Sequence, residues 1–175
     1  VERSRGLGDV YKRQLWISQQ HLSEMSVRDL MNEIYTLNPE WGDGLEWDYL
    51  KEVVKLIKDR SKTITEITSM SEIFFKDKLE YDIDLLNKTF NDKSIAIIKD
   101  FQSALSSIED WSRVEIEKIF EDIMEQHEVA IGQVMKPVRV AISGIPFGPG
   151  IFDLILLLGK EICQIRLRHA LSVIQ

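Results

Sequence analysis

Three glycines and two prolines crowd into seven residues, Gly144-Ile-Pro-Phe-Gly-Pro-Gly150. An almost uninterrupted apolar run follows, closed by Gly159-Lys160. Glycine-rich turns ahead of a helix are where backbone N–H groups cradle phosphates, so phosphate chemistry is the first possibility to weigh. The spacing rules out a nucleotide cradle. A P-loop places lysine and a hydroxyl directly after its second glycine, whereas Gly159-Lys160 lies at the far end of the apolar run and is followed by Glu161. The dinucleotide fingerprint fails as well, because Gly148-Pro-Gly150 has no third glycine and no strong strand ahead of it.

Other reactive side chains form no constellation. His21, His127 and His169 stand far apart, and none pairs with another His or Cys at metal-ligand spacing, so no metal site is expected. Cys163 lies between Ile162 and Ile165 and reads as a small buried hydrophobe rather than a nucleophile. The carboxylates between Glu109 and Glu128 read as a solvated helix face and offer no acid–base pair. Trp16, Trp41, Trp47 and Trp111 read as core plugs before stacking platforms. A basic run, Lys51, Lys55, Lys58, Arg60 and Lys62, is ordinarily a solvated face, and an RNA-facing role needs independent support.

The elements that must position these residues are helical. Ser26-Val-Arg-Asp29 has the form of a capped helix start, with a stop at Asn38-Pro39, since the residue before proline avoids helical angles. Leu45, Leu50, Val53, Val54 and Ile57 follow helical spacing, as do Ile95, Ile98, Phe101, Ala104, Leu105 and Ile108. Ser112-Arg-Val-Glu115 opens another helix, with Val114, Ile116, Ile119, Phe120 and Ile123 as its apolar residues. Only Val138–Ile142 leaves a strand open. Gly148 is expected at an N-cap with Pro149 in the first helical position, and Gly159 at the far end. A last helix, Glu161 to Ile174, would turn Ile162, Ile165, Leu167, Leu171 and Ile174 inward and Arg166 and Arg168 outward. The fold class is all-α: a bundle of about eight to ten short helices.

Bulk properties fit a globular chain of one or two domains: 175 residues, 44% hydrophobic and 29% charged. The apolar run is far below the ~20 residues of a membrane span, and no signal-like segment opens the chain. A single cysteine excludes an internal disulfide and suits a reducing, cytoplasmic setting. The net charge of −7 argues against a generic nucleic-acid coat, but it is uneven. Residues 76–128 carry 7 basic and 14 acidic side chains, while residues 132–175 carry 5 basic and 2 acidic.

Three stretches, in order, resemble bacterial-type glutamate–tRNA ligases (glutamyl-tRNA synthetases, class I). The last is Met135-Lys-Pro-Val-Arg-Val-Ala-Ile-Ser-Gly144, Pro149-Gly-Ile-Phe-Asp153 and Leu157-Leu-Gly-Lys-Glu161. The others are residues 15–26, "LWISQQHLSEMS", and residues 57–75, which resemble the family's R-x-K-T-L region with Ile64 in place of leucine. The resemblance implies a carboxy-terminal fragment: a stem-contact helical region over 15–75 and an α-helical anticodon-binding cage over 76–175. Residues 1–14, "VERSRGLGDVYKRQ", fit neither and look like a translated cloning adapter.

The HIGH-like and KMSKS-like signatures do not occur, so this piece is not expected to be an enzyme or to hold a cofactor; ATP and magnesium belong to the parent ligase. Implied partners are tRNA-Glu and the parent's own catalytic domain, with neither membrane nor DNA. By the same resemblance Arg60 reads an anticodon base, its planar fork of donors suiting a cytosine's acceptor edge. A helix-end arginine capping carbonyls is the competing reading. Gly148, Pro149, Gly150 and Ile151 fall where the family's loop touches other anticodon bases, although Gly148 lacks the family's hydroxyl. Lys58, Lys62, Lys136 and Arg139 are the candidate phosphate contacts. A helical protein–protein interaction module without RNA binding is the alternative, favoured by the acidic middle.

Overall fold

The computed structural model describes residues 19–174. The adapter-like stretch 1–14, and Trp16 with it, lie outside the described residues. Among those described there are nine α-helices, one 3-10 turn and no strand. We number them α1 (Gln19–Glu24), α2 (Val27–Leu37), α3 (Trp47–Lys58), α4 (Ile64–Ser71), α5 (Ile83–Thr89), α6 (Asp92–Ser107), α7 (Arg113–His127), α8 (Ile131–Ser143) and α9 (Ile151–Ile174), with the 3-10 turn at Glu72–Phe74. The all-α expectation holds, and Val138–Ile142 lies inside α8. The chain divides between Phe75 and Lys76 into two compact units.

In the first unit, Ser26 Oγ accepts the Asp29 N–H at 3.1 Å, and α2 stops at Leu37 ahead of Asn38-Pro39. The apolar stripes of α2, α3 and α4 (Leu30, Ile34, Val53, Val54, Ile57 and Ile67 among them) are fully buried. Trp41 fills the space between them. Its indole N–H donates to Ser71 Oγ at 2.8 Å, and Tyr35 and Phe75 meet its ring edge-on. Trp47 departs from the core-plug expectation, being 45% exposed and stacked on Tyr35 at 5.6 Å.

In the second unit, α9 packs over α8 and α6, and α7 closes the remaining side. Phe101, Phe120 and Phe152 form an edge-to-face chain through the core, with centroids 4.9 and 5.1 Å apart. Asn91 and Ser94 cap α6 reciprocally, and Ser112 caps α7. Val114, expected on the apolar side of α7, is 71% exposed.

Two expectations for the C-terminal stretch require correction. The Leu154 N–H donates to the Gly150 carbonyl at 2.9 Å, so Gly150 is the N-cap and Ile151 the first helical residue, two positions later than expected. A cap takes extended angles with negative φ, and Gly148 sits at φ +128°. At the other end, Gly159 has φ +80° and interrupts α9, leaving Ile151–Leu158 and Lys160–Ile174 as separate helical runs.

The second correction is Arg166, expected outward but wholly buried. The buried stripe is Cys163, Arg166, Leu167, Ala170 and Leu171, whereas Ile162 and Ile165 are only half-buried. A buried guanidinium must find acceptors. Its Nη1 donates to the Ile142 carbonyl at 2.6 Å, its Nη2 to the Lys76 carbonyl and its Nε to the Asp77 carbonyl.

Candidate nucleic-acid interface

The basic run of the first unit ends in a tight turn. α3 stops at Lys58, and the Arg60 N–H returns to the Ile57 carbonyl at 3.1 Å. Ser61 is buried, its hydroxyl donating to the same carbonyl at 3.0 Å. Thr63 caps α4 by accepting the Glu66 N–H at 3.1 Å, and the Glu66 carboxylate accepts the Lys62 N–H. The backbone on both sides of Arg60 is thus fixed while its side chain is exposed. The guanidinium makes no hydrogen bond among the described residues, so the carbonyl-capping reading of Arg60 finds no acceptor there. Lys62 is exposed in the same way. Lys58 differs: its ammonium donates to the carbonyls of Ser23 and Met25 and so caps the end of α1.

In the second unit the candidates gather at the loop joining α8 to α9. Gly144 ends α8 in the left-handed region, φ +73°, its N–H bonded to the Val140 carbonyl. The Ser143 hydroxyl lies 2.8 Å from the Arg139 carbonyl and 3.0 Å from that of Ile145, and donates to one of them at a time. Arg139 reaches across the loop, its Nη1 donating to the Pro149 carbonyl at 2.7 Å. Sequence reasoning offered Arg139 to phosphate; in this structure its guanidinium also clamps the loop.

The clamp leaves donors open. The N–H groups of Phe147, Gly148, Gly150 and Ile151 find no acceptor among the described residues. The first N–H groups of any helix lack an intrahelical partner, and the N-cap here is a glycine with no side chain to satisfy them. The first-turn acid, Asp153, is ion-paired with Arg113, which reduces its repulsion of an approaching anion. Phe147 stands beside these donors, 65% exposed.

Lys136 projects elsewhere, into a groove of about 210 Å³ that Lys93 at the start of α6 also lines. Sequence reasoning missed both Lys93 and Phe147. Only tertiary packing places Lys93 across from Lys136, and aromatic character alone does not reveal exposure.

The groups that support the loop are half-buried or buried. The Tyr81 hydroxyl donates toward the Ala141 carbonyl at 2.5 Å and lies 3.3 Å from that of Arg166. Burial raises its pKa despite the opposing influence of Arg166, so it stays a neutral donor. Burial likewise pushes the Cys163 thiol up to about 12, again against Arg166, which suits a packing role and not a nucleophile. His127 Nε2 sits 2.8 Å from Asp100 Oδ2. No group of three or more potential metal ligands gathers among the described residues, and among them no helix is long and apolar enough to cross a membrane.

Known proteins resemble this chain in sequence and in fold. The family model described as "Anticodon binding domain" matches residues 23–171. The chain is 29% identical over 159 residues to a glutamate–tRNA ligase of Flavobacterium johnsoniae, covering 91% of this chain and 32% of that protein. It is 31% identical over 135 residues to glutamate–tRNA ligase 2 of Thermoanaerobacter pseudethanolicus, covering 77% and 28%. The crystal structure of a glutamate tRNA ligase from Elizabethkingia meningosepticum, in complex with its amino acid, superposes with a TM-score of 0.79 at 23% identity. It covers 91% of this chain and 32% of that one, a likeness of fold. The chain therefore spans about a third of the length of the relatives it matches.

Proposed function

The chain belongs to the anticodon binding domain family and is homologous to part of glutamate–tRNA ligases; from that premise we propose that it is the anticodon-gripping portion of such a ligase, with tRNA-Glu as its RNA. In this reading the parent enzyme joins glutamate to tRNA-Glu in the cytoplasm using ATP and magnesium. Both would be held by the catalytic domain, which is also this chain's protein partner.

The observation that carries the reading is the clamped loop between α8 and α9, with its run of uncommitted N–H donors. A splayed base presents acceptors on its edge, and a backbone held rigid in advance loses little freedom on meeting them. Gly148, Gly150 and Ile151 would read bases through their N–H groups, while Pro149, which has no N–H and whose carbonyl is held by Arg139, would keep the loop rigid. Arg60 would read a further base with its free fork of donors. Lys62 and Lys136 would meet phosphates, while Lys58 and Arg139 act by holding the backbone in place.

The test is direct binding of the chain to a tRNA-Glu transcript and to the same tRNA with an exchanged anticodon, at low and moderate salt. Preference for the cognate anticodon together with a steep salt dependence is the expected result. Equal affinity for both would reduce the function to a non-specific electrostatic grip. Absence of binding by the folded chain would favour a protein–protein role instead.

A further inference from the structure

We propose that Phe147 is a stacking platform for one unpaired RNA base, resting on the anticodon-binding reading above and extending it to a side chain that this reading does not use. A phenyl ring normally contributes its area to a core, yet this one is 65% exposed. The exposure is built into the loop. Pro146 precedes it with its φ restricted by the ring, and Gly148 follows at φ +128°, a conformation that side-chain-bearing residues rarely adopt. The Arg139 clamp on Pro149 then closes the turn from below. The ring is thus held away from the core by a fixed backbone.

Other exposed apolar side chains lack this setting. Val114 and Ile83 sit on the first turns of helices, each beside an acid of its own turn, Glu115 and Asp84. Trp47 already has one face covered by Tyr35. Among the described residues, only at Phe147 does so exposed an aromatic side chain adjoin a row of open N–H donors, those of Phe147, Gly148, Gly150 and Ile151. A nucleobase has the matching chemistry, a flat π face with acceptors along its edge. A protein partner would call for a wider apolar surface, and of the loop residues beside Phe147 only Pro146 is exposed. Gly148, where the family resemblance implies a hydroxyl side chain, puts nothing between the ring and a base.

The test compares the native chain with Phe147→Ala, Phe147→Leu and Phe147→Trp, binding a tRNA-Glu transcript and an anticodon-loop RNA that carries one fluorescent base analogue. The alanine variant is expected to bind roughly tenfold or more weakly with an unchanged salt slope, to lose the stacking-induced quench and to keep its melting temperature. Tryptophan should restore binding, whereas leucine, equally apolar but without a π face, should not. Leucine binding as well as phenylalanine would overturn stacking. Unchanged binding by Phe147→Ala would overturn this inference alone, provided that the cognate preference persists. Failure of the native chain to bind RNA at all would overturn both this inference and the reading on which it rests.

Discussion

The turn at Asp59–Thr63 and the loop at Gly144–Gly150 hold their hydrogen-bond donors in two different ways. The first fixes its backbone and leaves a long cationic side chain free, since Arg60 is exposed with an uncommitted guanidinium. The second reverses the division. Its arginine, Arg139, is turned back onto the Pro149 carbonyl, and the backbone N–H groups are left open. A side-chain donor keeps rotamer freedom that binding would restrict, whereas a backbone donor is organised beforehand. The rigid version rests on more internal support, because the buried Arg166 and the half-buried Tyr81 donate to carbonyls of α8.

The largest expected effect tests that support. Arg166→Ala would leave the carbonyls of Ile142, Lys76 and Asp77 without their donor and open a cavity, costing about 3–5 kcal/mol of stability in thermal or denaturant unfolding. A loss under 1 kcal/mol would mean that the loop does not depend on this buried arginine. Arg60→Ala should do the opposite. Stability stays within about 0.5 kcal/mol, while binding of the cognate tRNA weakens by about 1–3 kcal/mol and anticodon preference relaxes. Equal weakening for both anticodons would make Arg60 a phosphate contact.

Gly148→Ala sharpens the contrast from the backbone side. The nearest atoms to an added Cβ are 3.8 Å away, so space is available and the φ of +128° is the obstacle. We expect about 1–2 kcal/mol of destabilisation and weaker RNA binding, with no change in the melting behaviour of the first unit. Lys136→Gln should alter affinity by less than about 1 kcal/mol and lower the salt slope by roughly one, as for the loss of one phosphate contact.

Smallest of all is the effect of Cys163 at neutral pH, where its thiol is protonated in both folded and unfolded chains. Its folded pKa of about 12 lies above the ordinary value of 9.0. The unfolded chain therefore releases the proton first, and the stability contributed by the neutral thiol is lost as pH rises from about 9 toward 12. Cys163→Ala should flatten that alkaline decline, leaving the part due to Tyr81. An unchanged decline would place its cause elsewhere.

Much of the helical framework was legible in the sequence because its signals are local. Ser26 and Ser112 cap helices three residues from their partners, and Gly159 marks the break in α9. Arg166 was not legible. The reading sorted residues by type and sent a charged one outward, whereas its acceptors lie 24 and 90 positions away in the chain. The start of α9 was misplaced because Gly-Pro is a plausible cap and first residue anywhere, and it takes the Leu154–Gly150 hydrogen bond and the φ of Gly148 to exclude it. The site was partly visible through family resemblance, which pointed to the loop and to Arg60. It could not separate residues that face outward from those that hold the backbone, as Arg139 and Lys58 do.

The clamp on the Pro149 carbonyl also bears on how such a loop can diversify. Arg139 grips a backbone atom, and no hydrogen bond of the turn uses the side chain at position 147. Loop shape and loop surface chemistry are therefore separately adjustable. Substitutions at 147 can sample new contacts without renegotiating the fold, which makes that position a natural starting point for a library aimed at altered RNA preference.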